Sequence, residues 1–220
     1  MLTFVAGKIT DQYYIKRDIC LTQQFMLRTN PAFVNFIEHY IASQQEGKHI
    51  AQKTFKPGTR IIRQGSTIHQ VYIITDGIVK CFISEDNGKD YIFEFLGTGE
   101  VTGDLEAINK ATCLCNIDAI TTVAAYVIPH SLFTHLLQNN QQFNTLMMQE
   151  LATRIRQTCI RASYQQLYPV EYALQRLLTL EAQQDIRLSK KDMADYLGIS
   201  VRSFNRTLKE LKEKNYELGM

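Results

Sequence analysis

The residues with the clearest chemistry form a basic group near the C-terminus. Arg202, Arg206 and Lys209 follow one another at spacings of four and three residues, so in a helix they share one face. Arginine can hydrogen-bond to guanine, asparagine to adenine and lysine to phosphate, and a helix fits the major groove of DNA. The residues predicted to face base edges are Arg202, Ser203, Asn205 and Arg206. The residues predicted to contact phosphates are Lys190, Lys191 and Lys209. Ser200 is predicted to lie beside these residues in the DNA-binding surface.

Two short helices joined by a glycine turn would position this face. Ser189 and Asp192 have the spacing of a capping box, which starts the first helix. Gly198 supplies the positive φ at which that helix can stop. Ser200 can cap the second helix, whose apolar side consists of Phe204, Leu208 and Leu211. The pattern predicts a helix-turn-helix, and the alternative is a helical hairpin with a solvated basic face.

Composition limits the class of protein. At 220 residues and 45% hydrophobic, the chain can bury a core and is expected to hold two domains. Its net charge is only +2, so a nucleic-acid surface has to be local, and residues 186–214 carry eight Lys or Arg against four Asp or Glu. There is no long apolar run and no signal-peptide pattern. Five irregularly spaced cysteines are typical of a reducing compartment, so a cytoplasmic protein without a membrane partner is expected.

The middle of the chain has the pattern of β-structure. Residues 1–49 are expected to form a helical segment without a chemical motif. From 50 to about 128, short β-type runs alternate with turn signals at Pro57-Gly58, Asp76-Gly77 and Asn87-Gly88, and residues 119–128 close the series. These runs predict a small antiparallel roll with no intervening helix.

A long helix is predicted after Pro129. Its apolar residues recur at steps of three, four, four and three, which is typical of a coiled-coil seam, and they are Met148, Leu151, Ile155, Cys159 and Ala162. Its other faces carry Gln149, Glu150, Arg154, Arg156 and Arg161. The pattern favours a dimer helix, and the alternative is a helix packed on its own roll. Pro169 should end it, which places a domain boundary near Tyr168.

A β-roll, a long helix and a helix-turn-helix, in that order, resemble the Crp/Fnr family of bacterial transcription regulators. The resemblance covers about residues 50–216 and depends on the segments FKPGTRIIRQG, VYIITDGIVKCF and MADYLGISVRSFNRTLKEL. It implies an α+β fold: an antiparallel roll of the cyclic-nucleotide-binding type with flanking helices, a long dimerisation helix and a winged-helix-like domain. The expected divisions are 1–49 (N-terminal helical segment), 50–129 (sensor roll), 130–168 (linker and dimer helix) and 169–220 (DNA-binding domain).

The resemblance also implies partners and a mode of action. Family members are homodimers whose long helices pair, and their two recognition helices read a roughly palindromic site about one DNA turn apart. Double-stranded DNA, a second copy of the chain and RNA polymerase are therefore the expected partners. Because Val201-Arg202 stand where cyclic-AMP-receptor-like members carry Arg-Glu, the DNA site should differ from that receptor's. Since the sequence stops at Met220, a short or missing wing is expected.

The expected effector pocket departs from the cyclic-nucleotide pattern. It would contain Gly103, Asp104, Leu105, Cys113 and Cys115. Gly103-Asp104-Leu105 resembles the family's ribose-binding Gly-Glu-Leu, but Cys113-Leu114 stand where its phosphate-binding Arg-Ser pair would be. No Arg or Lys lies between Lys110 and Ala125, so a cyclic phosphate would lack a cationic partner, which argues against cyclic AMP. No cofactor is identified, because a lone Cys20 near the N-terminus cannot hold an iron–sulfur cluster and no spacing indicates haem.

Several alternatives stay open. The chain could be a cyclic-nucleotide-responsive regulator, or a β-roll sensor or interaction protein that has lost DNA binding. Cys113 and Cys115 could sense redox state or bind metal, although inert buried cysteines are commoner. A cupin enzyme is disfavoured because the chain has no H-x-H pair for its metal. With no phosphate-binding loop and no catalytic triad, the sequence predicts a non-enzyme with no catalytic or metal-binding residues.

Overall fold

The computed structural model describes residues 26–43 and 49–217, with side chains described as far as residue 213. Its strands are β1 (Leu27–Arg28), β2 (Ala51–Phe55), β3 (Arg60–Ile62), β4 (Gln70–Asp76), β5 (Val79–Ser84), β6 (Asp90–Leu96), β7 (Val101–Thr102), β8 (Asn116–Ala119) and β9 (Val123–Pro129). Its helices are α1 (Pro31–Ser43), α2 (Asp104–Asn109), α3 (His130–Asn139), α4 (Gln141–Leu167), α5 (Val170–Gln183), α6 (Lys190–Leu197) and α7 (Val201–Glu217).

The strands form two facing sheets. One has the order β1-β6-β5-β8-β3 and the other the order β2-β9-β4-β7. Neighbouring strands of the described chain run antiparallel apart from β1 and β6, which are parallel. The turn after β4 needs its glycine: Gly77 has φ of 86°, and a Cβ there would lie 2.1 Å from the Thr122 carbonyl oxygen. The predicted antiparallel roll is confirmed.

Three apolar clusters hold the layers together. The first fills the space between the sheets and includes Phe55, Ile74, Val79 and Val127. The second joins the β4/β9 sheet to α1, α3 and α4 through residues such as Ile73, Phe33, Phe133 and Phe143. The third joins the outer face of the β5/β6 sheet to α5, α6 and α7 and includes Phe82, Phe95, Leu177, Tyr196 and Phe204. The C-terminal helices are therefore packed directly on the roll.

Two details of the predicted roll are wrong. The closing run at 119–128 is not one strand, because the chain turns between Ala119 and Val123, and the amides of Ile120 and Thr121 both donate to the Ile78 carbonyl. A helix does intervene, since α2 follows Gly103, whose φ is 82°. A helix of six residues is too short to show apolar periodicity in the sequence, so periodicity does not predict it.

The helical half follows local signals. The side chain of Asn140 accepts a hydrogen bond from the Phe143 amide, and this cap separates α3 from α4. The chain turns at Tyr168 and Pro169, between α4 and α5. α6 and α7 form the predicted helix-turn-helix. No helix of the described residues is both long enough and apolar enough to span a membrane.

Candidate DNA-binding surface and effector cavity

Local caps fix the geometry of α6 and α7. The Ser189 hydroxyl accepts a hydrogen bond from the Asp192 amide at 3.0 Å, as the capping-box spacing predicts. Gly198 ends α6 with φ of 69°, and the Ser200 hydroxyl accepts from the Ser203 amide at 3.1 Å at the start of α7. Phe204 is fully buried and anchors α7 in the core of the domain. These contacts hold the outer side of α7 in a fixed position.

The outer side of α7 is polar and open to solvent. Arg202, Asn205, Arg206 and Lys209 are all exposed. Arg206 lies 3.8 Å from Glu210, and Lys209 lies 3.7 Å from Glu213, each pair one helical turn apart. Exposed pairs of this kind contribute little to stability, so both cations can be transferred to an anionic ligand at low cost.

Three residues predicted to contact DNA have other contacts in the structure. Ser200 is the cap of α7, and Ser203 is half-buried with its hydroxyl 3.0 Å from that of Ser200. Lys191 donates to Asp195 at 2.5 Å and to Asp90 on β6 at 3.1 Å. Lys191 therefore links α6 to the roll, and a phosphate would have to compete with these two carboxylates for it.

Further contacts fasten α6 to the roll. The Lys80 ammonium group on β5 donates to Asp192 at 2.6 Å. Arg161 of α4 is buried and donates to three backbone carbonyls, those of Phe93, Ile92 (2.7 Å) and Tyr196 (2.6 Å). Its guanidinium carbon also lies 3.8 Å from the centroid of the Tyr196 ring. One side chain thus joins α4, β6 and α6.

The roll contains a cavity of about 240 Å³ at the predicted effector position. Its wall includes Gly103, Asp104, Leu105 and Cys115 of the predicted pocket, together with Cys81, Glu94, Glu106 and Arg154. Cys113 does not line this cavity. It is buried, with its sulfur 3.8 Å from the Ser66 hydroxyl, because the chain bends at Leu114 and Cys115 and is not the straight strand that would place residues 113 and 115 on one face.

A buried ionic network lies against the cavity. Arg28 donates to Glu100 at 3.1 Å and also to Glu150, and Arg154 donates to Asp104 at 2.7 Å and to Glu150 at 3.0 Å. The sequence predicts Glu150 and Arg154 on faces of the long helix other than the seam, and the structure shows that these side chains face the roll. Because both arginines that line the cavity already have carboxylate partners, neither is free to bind an incoming phosphate.

The network gives Glu100 an unusual titration. Burial raises the pKa of Glu100 to about 7, although the neighbouring Arg28 and Arg154 lower it. The folded protein therefore holds a proton on Glu100 across a pH range in which the unfolded chain does not. The stabilisation from this proton is present below the ordinary glutamate pKa and is lost as the pH rises through about 7.

We expect the free energy of unfolding to fall between pH 6 and pH 8, with Glu100 contributing about 1 kcal/mol of that fall. Urea unfolding at several pH values measures it. Glu100→Gln should flatten the dependence, whereas Glu85→Gln, at an exposed position, should leave it unchanged. An equally steep fall in Glu100→Gln would contradict the assignment.

One face of α4 is apolar and exposed. Met148 and Ile155 are 62% and 66% exposed, Cys159 and Ala162 are also exposed, and Leu151 is half-buried. The opposite face packs against the protein's own core through Phe143 and Met147. The predicted seam residues therefore lie together on a surface that the chain itself does not cover.

Comparisons with known proteins agree with this architecture. Residues 52–140 match the cyclic nucleotide-binding domain family, and residues 173–216 match the Crp-like helix-turn-helix domain family. The chain is 24% identical over 199 residues to the cAMP-activated global transcriptional regulator CRP of Salmonella typhimurium, covering 86% of this chain and 90% of that protein.

Two solved structures show the same fold. The c-di-GMP responsive global regulator CLP of Xanthomonas campestris superposes with a TM-score of 0.70 at 20% identity, over 83% of this chain and 93% of that one. A CooA variant from Carboxydothermus hydrogenoformans superposes with a TM-score of 0.64 at 13% identity, over 81% and 84% of the respective chains.

Proposed function

Because the chain belongs to the Crp/Fnr family of bacterial transcription regulators, we propose that it reads a two-fold-symmetric DNA site as a homodimer. The observation that carries this proposal is the exposed polar side of α7, set on a capped helix-turn-helix with its apolar side buried. In this fold class the second helix enters the major groove.

We assign base reading to the exposed side chains Arg202, Asn205 and Arg206, with Ser203 at the edge of the surface. Lys190 and Lys209, both exposed, neutralise phosphates. Ser200 acts through the start of α7, where backbone amides favour an anion. Lys191 reaches a phosphate by exchanging its contact with Asp90, which would couple DNA binding to the position of α6 on the roll.

The second copy of the chain binds on the exposed apolar face of α4. Met148, Leu151, Ile155, Cys159 and Ala162 recur at coiled-coil spacing, and α4 is 27 residues long, which is enough for several heptads. Burying these side chains removes a contiguous apolar stripe from water. Two parallel α4 helices would set the two copies of α7 about one DNA turn apart.

The effector, if one exists, is not a cyclic nucleotide bound in the usual manner. Three carboxylates line the cavity, Glu94, Asp104 and Glu106, and Arg28 and Arg154 carry carboxylate partners. A cyclic phosphate would enter this negative environment without a free cation, so an uncharged ligand or none fits better. Calorimetric titration with cyclic AMP tests whether the cavity binds a cyclic nucleotide. No heat of binding is expected, and saturable binding would favour a cyclic-nucleotide-responsive regulator.

The remaining assignments follow from the family. We propose that the protein acts in the cytoplasm, contacts RNA polymerase, and is divided into an N-terminal segment (1–49), a sensor roll (50–129), a linker with the dimer helix (130–168) and a DNA-binding domain (169–220). The alternative is a sensor that does not bind DNA. It is favoured if purified protein shows no salt-dependent binding to any duplex.

Replacing Arg206 with alanine should weaken specific binding by about 1–3 kcal/mol, because arginine pairs with guanine through two hydrogen bonds. Fluorescence anisotropy with the preferred duplex and a scrambled duplex measures the change. Lys209→Ala removes the same charge from the same helix, and since Lys209 is assigned to a phosphate, it should weaken binding to both duplexes alike. An Arg206→Ala variant that loses equal affinity for both duplexes would reassign Arg206 to a phosphate.

A further inference from the structure

Two cysteines of the roll meet at the wall of the effector cavity. Cys81 lies on β5 and Cys115 comes directly before β8, and their sulfur atoms are 2.9 Å apart. Both side chains line the cavity. The sequence spacing suggests Cys113 and Cys115 as a pair, but the structure places Cys115 beside Cys81 instead.

The backbone allows the two sulfurs to bond. Cys81 pairs with Ile117 in the β5–β8 ladder, so Cys115, two residues before Ile117, is its diagonal neighbour on the same face of the sheet. Since Cys115 precedes the first paired residue of β8, its backbone is not held in the ladder and can adjust. A disulfide has a sulfur–sulfur distance of about 2.05 Å, so the two atoms have to approach by less than about 1 Å.

The cavity decides which oxidant can reach the pair. Its volume of about 240 Å³ equals that of about eight waters, each of which occupies about 30 Å³ in the liquid. Glu94, Asp104 and Glu106 in its wall disfavour anionic oxidants such as glutathione disulfide, which is also too large. Hydrogen peroxide is small and uncharged, and therefore fits.

The surroundings of Cys81 disfavour its thiolate form. The hydrogen bond with Cys115 and burial both raise the pKa of the Cys81 thiol well above its ordinary value. Cys81 is therefore poorly suited to attack peroxide, because the thiolate is the nucleophile. It remains able to attack an oxidised sulfur already in contact with it.

We propose that Cys81 and Cys115 form a peroxide-reactive dithiol that closes to an intramolecular disulfide. The Cys115 thiolate attacks one oxygen of hydrogen peroxide, the O–O bond breaks, and the released hydroxide takes a proton to leave as water. The Cys81 sulfur then attacks the sulfur of the Cys115 sulfenic acid, its proton leaves with the displaced hydroxide as a second water, and the S–S bond forms. Each thiol is oxidised by one electron and peroxide is reduced by two; a dithiol reductant reverses the change.

The position of Cys81 connects this chemistry to the DNA-binding domain. Along β5, Val79 and Cys81 face the inside of the roll, whereas Lys80 and Phe82 face the C-terminal helices. Lys80 is the residue that binds Asp192 of α6. A cross-link at Cys81 therefore constrains the strand on which α6 is docked.

Tryptic mapping of the full-length protein tests the pairing. Trypsin releases Cys81 in the peptide 81–89 and both Cys113 and Cys115 in the peptide 111–154, because the latter contains no internal Lys or Arg. The purified Cys159→Ser chain, which lacks the exposed thiol of the α4 face, is treated with hydrogen peroxide. Free thiols are blocked with N-ethylmaleimide under denaturing conditions before digestion without reductant.

The expected result is a cross-linked species of peptides 81–89 and 111–154 that disappears on treatment with dithiothreitol. It should persist in Cys113→Ser and be lost in Cys115→Ser. The peroxide dose is chosen so that it oxidises Cys159 in the unsubstituted chain. Complete blocking of peptide 81–89 by maleimide at that dose would overturn the proposal. So would a disulfide confined to peptide 111–154, or one that joins peptide 81–89 to the peptide containing Cys20. None of these outcomes depends on DNA binding.

Discussion

Replacing Ile155 with glutamate is expected to make the protein monomeric and to lower its affinity for its DNA site by about 100-fold or more. Ile155 is 66% exposed and lies in the middle of the apolar stripe of α4. In a parallel pair of helices the two copies of residue 155 face one another. Glutamate would place two like charges in an apolar seam, whereas the folded monomer would keep its own core, because the side chain is already exposed.

The loss of DNA affinity follows from the loss of the second half-site. A dimer binds its second half-site as an intramolecular event, and this effective concentration is lost when the subunits separate. Analytical ultracentrifugation measures the first effect and fluorescence anisotropy the second. Gln149→Glu is the matched control, since it adds the same charge to an exposed position on another side of the same helix and should change neither. A dimeric Ile155→Glu protein would place the interface elsewhere.

Replacing Arg161 with alanine is expected to lower the free energy of unfolding by about 3–5 kcal/mol, because hydrogen bonds from a charged donor are among the strongest single contributions to stability. The change leaves three carbonyls, those of Ile92, Phe93 and Tyr196, without their guanidinium donor, and it removes the contact with the Tyr196 ring. Since these partners lie on β6 and α6, the substitution should loosen the docking of the helix-turn-helix on the roll.

Urea unfolding measures the stability, and hydrogen exchange followed by mass spectrometry localises the effect. We expect exchange in the peptides that cover β6 and α6 to become faster by more than in β4 and β9, where only the lower global stability acts. Arg161→Lys keeps the charge but offers a single donor group. Its free energy of unfolding should therefore lie between those of the alanine variant and the natural protein. Arg156→Ala, at an exposed position of α4, should be neutral. If exchange in Arg161→Lys became faster to the same degree in all peptides, Arg161 would stabilise the whole protein and not specifically the contact between the roll and the helix-turn-helix.

The helix-turn-helix could be predicted from the sequence because its signals are local. Ser189, Gly198 and Ser200 act on backbone groups within a few residues of themselves, and the structure shows each of them in its predicted role. The β-roll was predictable for a similar reason, since its turns are marked by glycines such as Gly77, where a side chain would collide with the neighbouring strand.

The interior polar network could not be predicted because its partners are distant in the chain. Arg28 and Glu150 are 122 residues apart, and Arg161 binds carbonyls, which every residue carries. Periodicity therefore assigns Glu150, Arg154 and Arg161 only to faces of the long helix other than the seam and does not identify their partners. A charged residue on such a helix has the same sequence signature whether it meets water or a buried carboxylate.

The cysteine pair illustrates the same limit. The spacing of Cys113 and Cys115 would place both on one face of a strand, but the chain bends at Leu114 and Cys115 and so separates their side chains. The contact of Cys115 with Cys81 depends on the register in which β5 pairs with β8. That register is set when the whole sheet buries one face, so it cannot be predicted from either strand alone.

Selection of duplexes from a random DNA pool by the purified protein tests whether two copies of α7 read a symmetric DNA site. We expect enrichment of an inverted repeat whose half-sites are centred about one helical turn apart, because two copies of α7 would enter successive major grooves on one face of the duplex. The preferred half-site should contain a guanine whose replacement is tolerated better by Arg206→Ala than by the natural protein. Enrichment of an isolated half-site would contradict the dimeric arrangement, and a pool that stays random would contradict DNA reading by α7.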